Sequence, residues 1–223
     1  MRMVKIGKLT VQNNSNIISN KEIYECIKIL PVEYKKVNSY VFIHANKKSY
    51  LYFCLKNLRV IDFLTSIIDI VIENGKCKFK LGIYKIKKNE IHLYENKIHT
   101  FLLLVEKEII KTDNGKYVTP AIWKRYEKMW VKYILMYNLV HELNHSIQYR
   151  RKELNIKLKD LFIKWEHNSH EIDSVKRSEQ IYEKYGEKFN KILKTEGIEV
   201  YHKFENGMNI GYKYNIEIDD KDN

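Results

Sequence analysis

Residues 133–148 read YILMYNLVHELNHSIQ, and the first eight of them are apolar nearly all the way round a helix. A helix apolar on every side is one that the rest of the chain must surround. The stretch lies in a run from Ala121 to about Lys152 that holds neither Gly nor Pro. Pro120 stands at its head, where a missing backbone N–H is no loss. These features predict one long buried helix, with the other elements arranged about it.

Working outward from that helix, the upstream chain is richer in β signals. Residues 3–12 alternate apolar and polar, as one strand would. Glu22–Leu30 reads as a short helix that stops before Pro31. Residues 39–45 (SYVFIHA) and 49–55 (SYLYFCL), joined by Asn46-Lys47-Lys48, have the composition of a hairpin. Residues 59–73 are long enough for a helix ended by Asn74-Gly75. Strand-like runs follow at 77–87, 91–95 and 100–110, the last leading into an Asp113-Asn114-Gly115 turn. Downstream, His170–Tyr185 reads as a second helix ended by Gly186, with a further short helix over Glu187–Leu193. Residues 199–204, Asn206-Gly207 and 209–218 form a hairpin pattern. The expectation is an α+β fold in which a mixed or antiparallel sheet packs on the long helix and on the second one. The chain divides into an N-terminal β-rich region, 1–58, a core, 59–195, and a C-terminal hairpin and tail, 196–223.

Composition bounds the reading. Hydrophobic residues make up 44% of the 223, enough to build a core and to exclude general disorder. The formal charge is +12, with lysines spread along the chain as a solvated basic surface would carry them. That charge suits an acidic partner, nucleic acid included, although no nucleic-acid-binding signature accompanies it. The three cysteines, Cys26, Cys54 and Cys77, lack CxxC spacing, which argues against a disulfide framework and a thiolate metal site. The first residues form no apolar leader, and no apolar stretch of about 18 residues is present, so a cytoplasmic protein without a membrane span is expected. Phosphate-binding and nucleophile-elbow glycine patterns are absent. Trp123, Trp130 and Tyr133 fall at helical spacing and read as core, while His44, His92 and His99 lie on strand-like segments and read as structural or exposed.

Chemistry concentrates at 141–145, His-Glu-Leu-Asn-His. On a helix, positions i and i+4 share a face, so His141 and His145 can reach one tetrahedral zinc. Glu142 then stands beside the metal, placed to take a proton from a zinc-bound water. Two histidines and a glutamate on a buried turn would be costly without such a partner. The alternative is a pair of surface histidines near the solvated end Arg150-Arg151-Lys152.

A catalytic zinc takes a third protein ligand and keeps one position open. The candidates are Glu166, His167, His170, Glu171 and Asp173. Glu171 is favoured because Glu171, Ser174 and Ser178 share one face of the second helix, and two small residues there allow close approach to the first. Asn168 or Ser169 would cap that helix. Glu171 could instead serve only the helix dipole.

His-Glu-Leu-Asn-His-Ser-Ile-Gln (141–148), Trp165, Glu171-Ile-Asp-Ser174, Ser178 and Tyr182 together resemble the gluzincin class of zinc metallopeptidases. More narrowly they resemble small HExxH peptidase-like proteins of phages and bacteria, and 89–94 resembles the strand before their active-site helix. The resemblance covers roughly residues 60–185. It implies a minimal zincin-like core, peptide hydrolysis with Glu142 as general base, Zn2+ held by His141, His145 and Glu171, and a peptide or protein substrate. Such proteins often carry Asp or Asn four residues past the ligand Glu to hold a zinc histidine; here that residue is Val175, so Asp173 or a backbone carbonyl must serve. The oxyanion-stabilising group the class implies could be Tyr149, His170, Tyr182 or His202. The strand Ile91–Tyr94 is the expected edge for an extended substrate. The rival reading is a zinc-binding regulatory or host-interaction protein on the same fold that does not cleave peptides, with nucleic acid among its candidate partners.

Overall fold

The computed structural model describes residues 2–46, 54, 81–103, 120–153, 168–196, 198–203 and 209–214. The fold is α+β, with a five-stranded mixed sheet against helices. Strands β1 (Arg2–Ile6) and β2 (Leu9–Asn13) form an antiparallel hairpin. The single strand expected over 3–12 is thus broken in two. Gly7 is the reason: its φ of 63° turns the chain, and a Cβ there would collide with the carbonyl oxygen of Lys35.

Helix α1 (Asn20–Ile29) follows, opened by a capping box in which Ser19 and Glu22 satisfy each other's backbone amides at 3.2 and 2.7 Å. It ends ahead of Pro31 as expected. The short α2 (Val32–Lys35) completes a crossover to β3 (Tyr40–His44), which lies parallel to β2. On its other side β3 pairs in parallel with β5 (Glu90–Tyr94), and β5 pairs antiparallel with β4 (Gly82–Lys85). The order is β1-β2-β3-β5-β4.

Two expectations fail here for one reason. The hairpin of 39–55 cannot form because β2 and β5 occupy both sides of β3, and Cys54 is helical. Nor is β5 an edge: it lies between β3 and β4, and β4 is the outermost strand among the described residues. Of the strand expected over 100–110, residues 100–103 instead belong to a helix over 95–103, and 104–110 lie outside the described residues. Ile98 and Leu102, one turn apart, bury one face of that helix. The run 77–87 yields β4 and then a 3-10 turn, Ile86–Lys88, closed by Asn89 at φ 52°. The helix expected over 59–73, the boundary at 58 and the turn at 113–115 lie outside the described residues. Strands from 1–58 and from 59–195 share the one sheet.

Helix α3 (Pro120–Arg150) is the predicted central helix. Every residue from Leu139 to Gln148 is buried, as are Trp130 and Tyr133. Its C-terminus closes with Lys152 at φ 59° and Glu153 N–H on the Gln148 carbonyl at 2.8 Å. Its core partners are the alternate residues Val11, Val41, Ile43, Ile91 and Leu93 of the sheet, with Ile23 and Ile27 of α1. The opposite pleat carries Phe42, His44, His92 and Tyr94, with Cys54 packed beside Phe42. His44 and His92 are fully buried, and His99 bonds Glu127 at 2.7 Å.

Helix α4 (Ser169–Leu193) runs without interruption through Gly186. The expected stop fails because a helical Gly costs only about 1 kcal/mol, whereas the continuation buries Phe189 and Leu193 completely. Strands β6 (Ile198–Lys203) and β7 (Asn209–Tyr214) form the C-terminal hairpin in a register that pairs Lys203 with Asn209. Among the described residues no helix is long and apolar enough to cross a membrane.

Candidate metal centre

His141 and His145 stand one turn apart on the most buried part of α3, each 7% exposed. Glu171 reaches them from the first turn of α4, whose N-cap is Asn168: its Oδ1 accepts the His170 amide at 3.0 Å. The two helices are stitched together by Asn144. Its Nδ2 donates to the Ser174 carbonyl at 3.2 Å and to Ser178 Oγ at 3.0 Å, and its Oδ1 accepts from the Tyr34 hydroxyl at 2.6 Å. Ser174 and Ser178 are fully buried at this contact.

His141 Nε2, His145 Nε2 and Glu171 Oε2 converge. The two nitrogens are 3.1 Å apart, and each lies 3.2 Å from the carboxylate oxygen. In a tetrahedral site with bonds of about 2.0–2.1 Å, ligand atoms stand about 3.3–3.4 Å apart, so the triangle has the right size. The remaining ring nitrogens are engaged. His145 Nδ1 donates to Gln148 Oε1 at 2.9 Å, and Gln148 is itself held by Asp173 Oδ2 at 2.6 Å and the His170 carbonyl at 3.2 Å. Ser174 Oγ spends its proton on the His141 carbonyl at 2.8 Å, which leaves a lone pair for His141 Nδ1–H at 3.2 Å. With a proton fixed on each Nδ1, both Nε2 lone pairs point at the common centre. The three residues can hold a metal ion, and among the described residues they are the one such group of His, Cys, Asp and Glu.

Electrostatics agree with three acceptors that want a cation. Burial alone would lower the His145 pKa, but the hydrogen bond to Glu171 and the charges of Glu142 and Glu171 raise it to about 9. Burial would raise Glu171, but hydrogen bonds from His141 and His145 hold its carboxyl far below the usual range. Glu142, 6% exposed, is pushed up by burial, then pulled back by the two histidines, pushed up by Glu171 and pulled back by the Tyr84 amide. Gly82 makes room for it: a Cβ there would lie 2.9 Å from Glu142 Oε1.

Of the other candidates, Asp173 acts one step out, bonded to Gln148 and ion-paired with Arg177 at 2.9 Å. The His170 side chain is not part of the triangle. Glu166 and His167 lie outside the described residues, as do the His202 side chain and the Trp123 side chain. The acceptor needed in place of Val175 is not a backbone carbonyl: Ser174 and Gln148 serve, while Val175 is core. From the sequence Ser174 reads as a spacer and Gln148 carries no role, although its position three residues past His145 is a usable signal.

Tyr149 is 47% exposed and meets Tyr84 edge-on at 6.5 Å. Tyr182 instead packs among Tyr133, Tyr137 and Phe189 at 5.0–5.2 Å, its buried hydroxyl without a hydrogen-bond partner among the described residues. Removing that unsatisfied hydroxyl should help the fold. Tyr182→Phe is expected to stabilise the protein by about 1 kcal/mol, a rise of about 2–4 °C in Tm by calorimetry, with metal affinity unchanged. A loss of stability would mean that the hydroxyl has a partner.

Comparison of the chain with protein-family models, with curated proteins and with solved structures gave no match in any of the three.

Proposed function

We propose that this chain is a zinc-dependent metallopeptidase of gluzincin type. The observation that supports it most is the convergence of His141, His145 and Glu171 with a buried, raised-pKa carboxylate, Glu142, next in sequence to one ligand. Two imidazoles and one carboxylate at this spacing are a donor set suited to zinc with an open fourth position. When bound, zinc would supply a Lewis acid that polarises the scissile carbonyl and makes water acidic enough to lose a proton near neutral pH.

The chain's own groups supply the rest. Glu142 takes the proton of the attacking water and later delivers it to the leaving amine. Its raised pKa suits both halves of that exchange, because a carboxylate at the ordinary value would give the proton up too readily to solvent. The Tyr84 amide holds the Glu142 side chain against β4. Ser174 and Gln148 keep each imidazole in the tautomer with a free Nε2. An extended peptide would lie along the outer edge of β4, the strand nearest Glu142, in place of the β5 edge that the sequence suggested.

The test is metal content beside turnover. The purified chain should carry about one equivalent of zinc by elemental analysis, cleave an unfolded protein such as reduced casein, and lose both on chelation. Zinc without cleavage of any unfolded substrate would favour the regulatory reading, and no zinc would remove the proposal.

A further inference from the structure

The far end of the β4 edge is ringed by cations that nothing in the proposed chemistry uses. Lys36, Lys87 and Arg150 are all exposed. They come from three elements that one polar cluster draws together. Asn89 donates to the Asn38 carbonyl and accepts from Ser39 Oγ at 2.7 Å and from the Tyr84 hydroxyl at 2.9 Å. Ser39 Oγ also meets Ser146 Oγ of α3 at 2.9 Å, and Arg150 Nη1 donates to the Lys36 carbonyl at 3.3 Å. Lys36, the turn bearing Lys87 and the end of α3 are therefore fixed as neighbours.

The described carboxylates near this end are already engaged. Glu33 pairs with Arg151 at 2.5 Å, Glu153 with Arg177 at 2.9 Å, Asp173 with Arg177 at 2.9 Å, and Glu90 is buried against His92 at 3.2 Å. Lys36, Lys87 and Arg150 form no ion pair among the described residues. Three neighbouring cations that pair with no anion among the described residues leave a local positive field on a chain already at +12.

Their distance from the reacting centre sets where they would act. Gly82 stands against Glu142, and Lys87 lies three strand residues and two turn residues beyond it, about 14 Å away. Along α3, eight residues separate Glu142 from Arg150, about 12 Å. Both measures equal the reach of about four residues of extended chain. A peptide added antiparallel to β4 runs from the Lys87 end toward Gly82, so the residues reaching the cations precede the bond placed at Glu142.

From this, resting on the peptidase reading, we infer that the chain selects extended peptides carrying acidic residues about three to five positions before the bond it cleaves. The β4 edge supplies main-chain pairing, and Lys36, Lys87 and Arg150 supply the charge preference.

The test uses the zinc-loaded full chain with Glu142→Gln, so that binding is read apart from hydrolysis. The probes are fluorescein-labelled peptides of equal length and a common apolar centre. They carry Asp before the centre, Asp after it, or Lys before it. The expected result in polarisation titrations at low salt is about tenfold tighter binding of the first than of the other two, weakening as salt rises. Adding Lys36→Glu, Lys87→Glu and Arg150→Glu should reverse the order of the Asp and Lys probes. Equal binding of the two Asp probes overturns the inference, as does stronger competition by a single-stranded oligothymidylate than by the Asp peptide, which would give the surface to nucleic acid. Cleavage of these peptides by the wild-type chain is scored separately. An intact Asp preference without cleavage supports the surface and overturns the peptidase reading alone.

Discussion

Glu142→Gln is expected to keep its metal, with affinity changed by less than about threefold, and to lose at least about a thousandfold in kcat. The substitution preserves shape in a site where Glu142 is 6% exposed and where Gly82 leaves no spare volume. It removes only the capacity to accept a proton. Glu142 is absent from the triangle of converging ligand atoms, so metal content by elemental analysis should not change. The amide also removes a carboxylate that burial disfavours, and the variant should fold at least as well as the parent. A rate loss of thousandfold therefore cannot be assigned to unfolding or to lost metal. Retained activity in this variant would require another base, and among the described residues Glu171 is the one other carboxylate in the group that could hold the metal.

The contrast between what the chain displayed and what it concealed follows from the range of the interactions involved. His141, Glu142 and His145 were readable because one helical turn fixes their relation, and the helix itself is written in an unbroken apolar run. Glu171 was readable through the common face it shares with Ser174 and Ser178, since the small residues mark where two helices touch. The sheet order was not readable. The segments around 82–85, 90–94 and 40–44 have similar β composition, and nothing local says that β5 lies inside the sheet while β4 is outermost among the described strands. Parallel pairing of β2, β3 and β5 joins residues far apart in sequence, whereas Asn46-Lys47-Lys48 between two β-rich runs gives a strong local hairpin signal, and tertiary pairing overrode it. The groups that orient the two imidazoles were hidden for another reason. Ser174 and Gln148 act through their hydroxyl and amide oxygens, and a residue's type does not reveal whether its polar atom meets an imidazole or water.

The second large effect is expected at Glu171. Binding free energies of about 10–16 kcal/mol at four-ligand zinc sites correspond to about 2.5–4 kcal/mol per ligand, so Glu171→Ala should weaken metal affinity by about 70- to 900-fold. Gln148→Ala and Ser174→Ala leave the ligands in place but release the imidazoles, and each should cost about 10–100-fold. The pH dependence separates these cases. In the metal-free protein His145 holds its proton up to about pH 9, because Glu171 and Glu142 outweigh the burial that opposes it. Metal must displace that proton, so affinity should rise about tenfold per pH unit from 7 toward 9 and then level. Glu171→Ala removes the carboxylate that raises His145, and the levelling point should move down toward the ordinary histidine value. Gln148→Ala removes a smaller contribution and should move it less. Competition titrations with a chromogenic chelator across pH measure both quantities at once. A Glu171→Ala variant with full affinity and an unmoved levelling point would transfer the third ligand to His167 or His170. Full affinity with a lowered levelling point would leave Glu171 a proton-binding neighbour of the site rather than a ligand. Loss of affinity together with the lowered levelling point is the result that the 3.2 Å contacts from both imidazoles to one carboxylate oxygen lead us to expect.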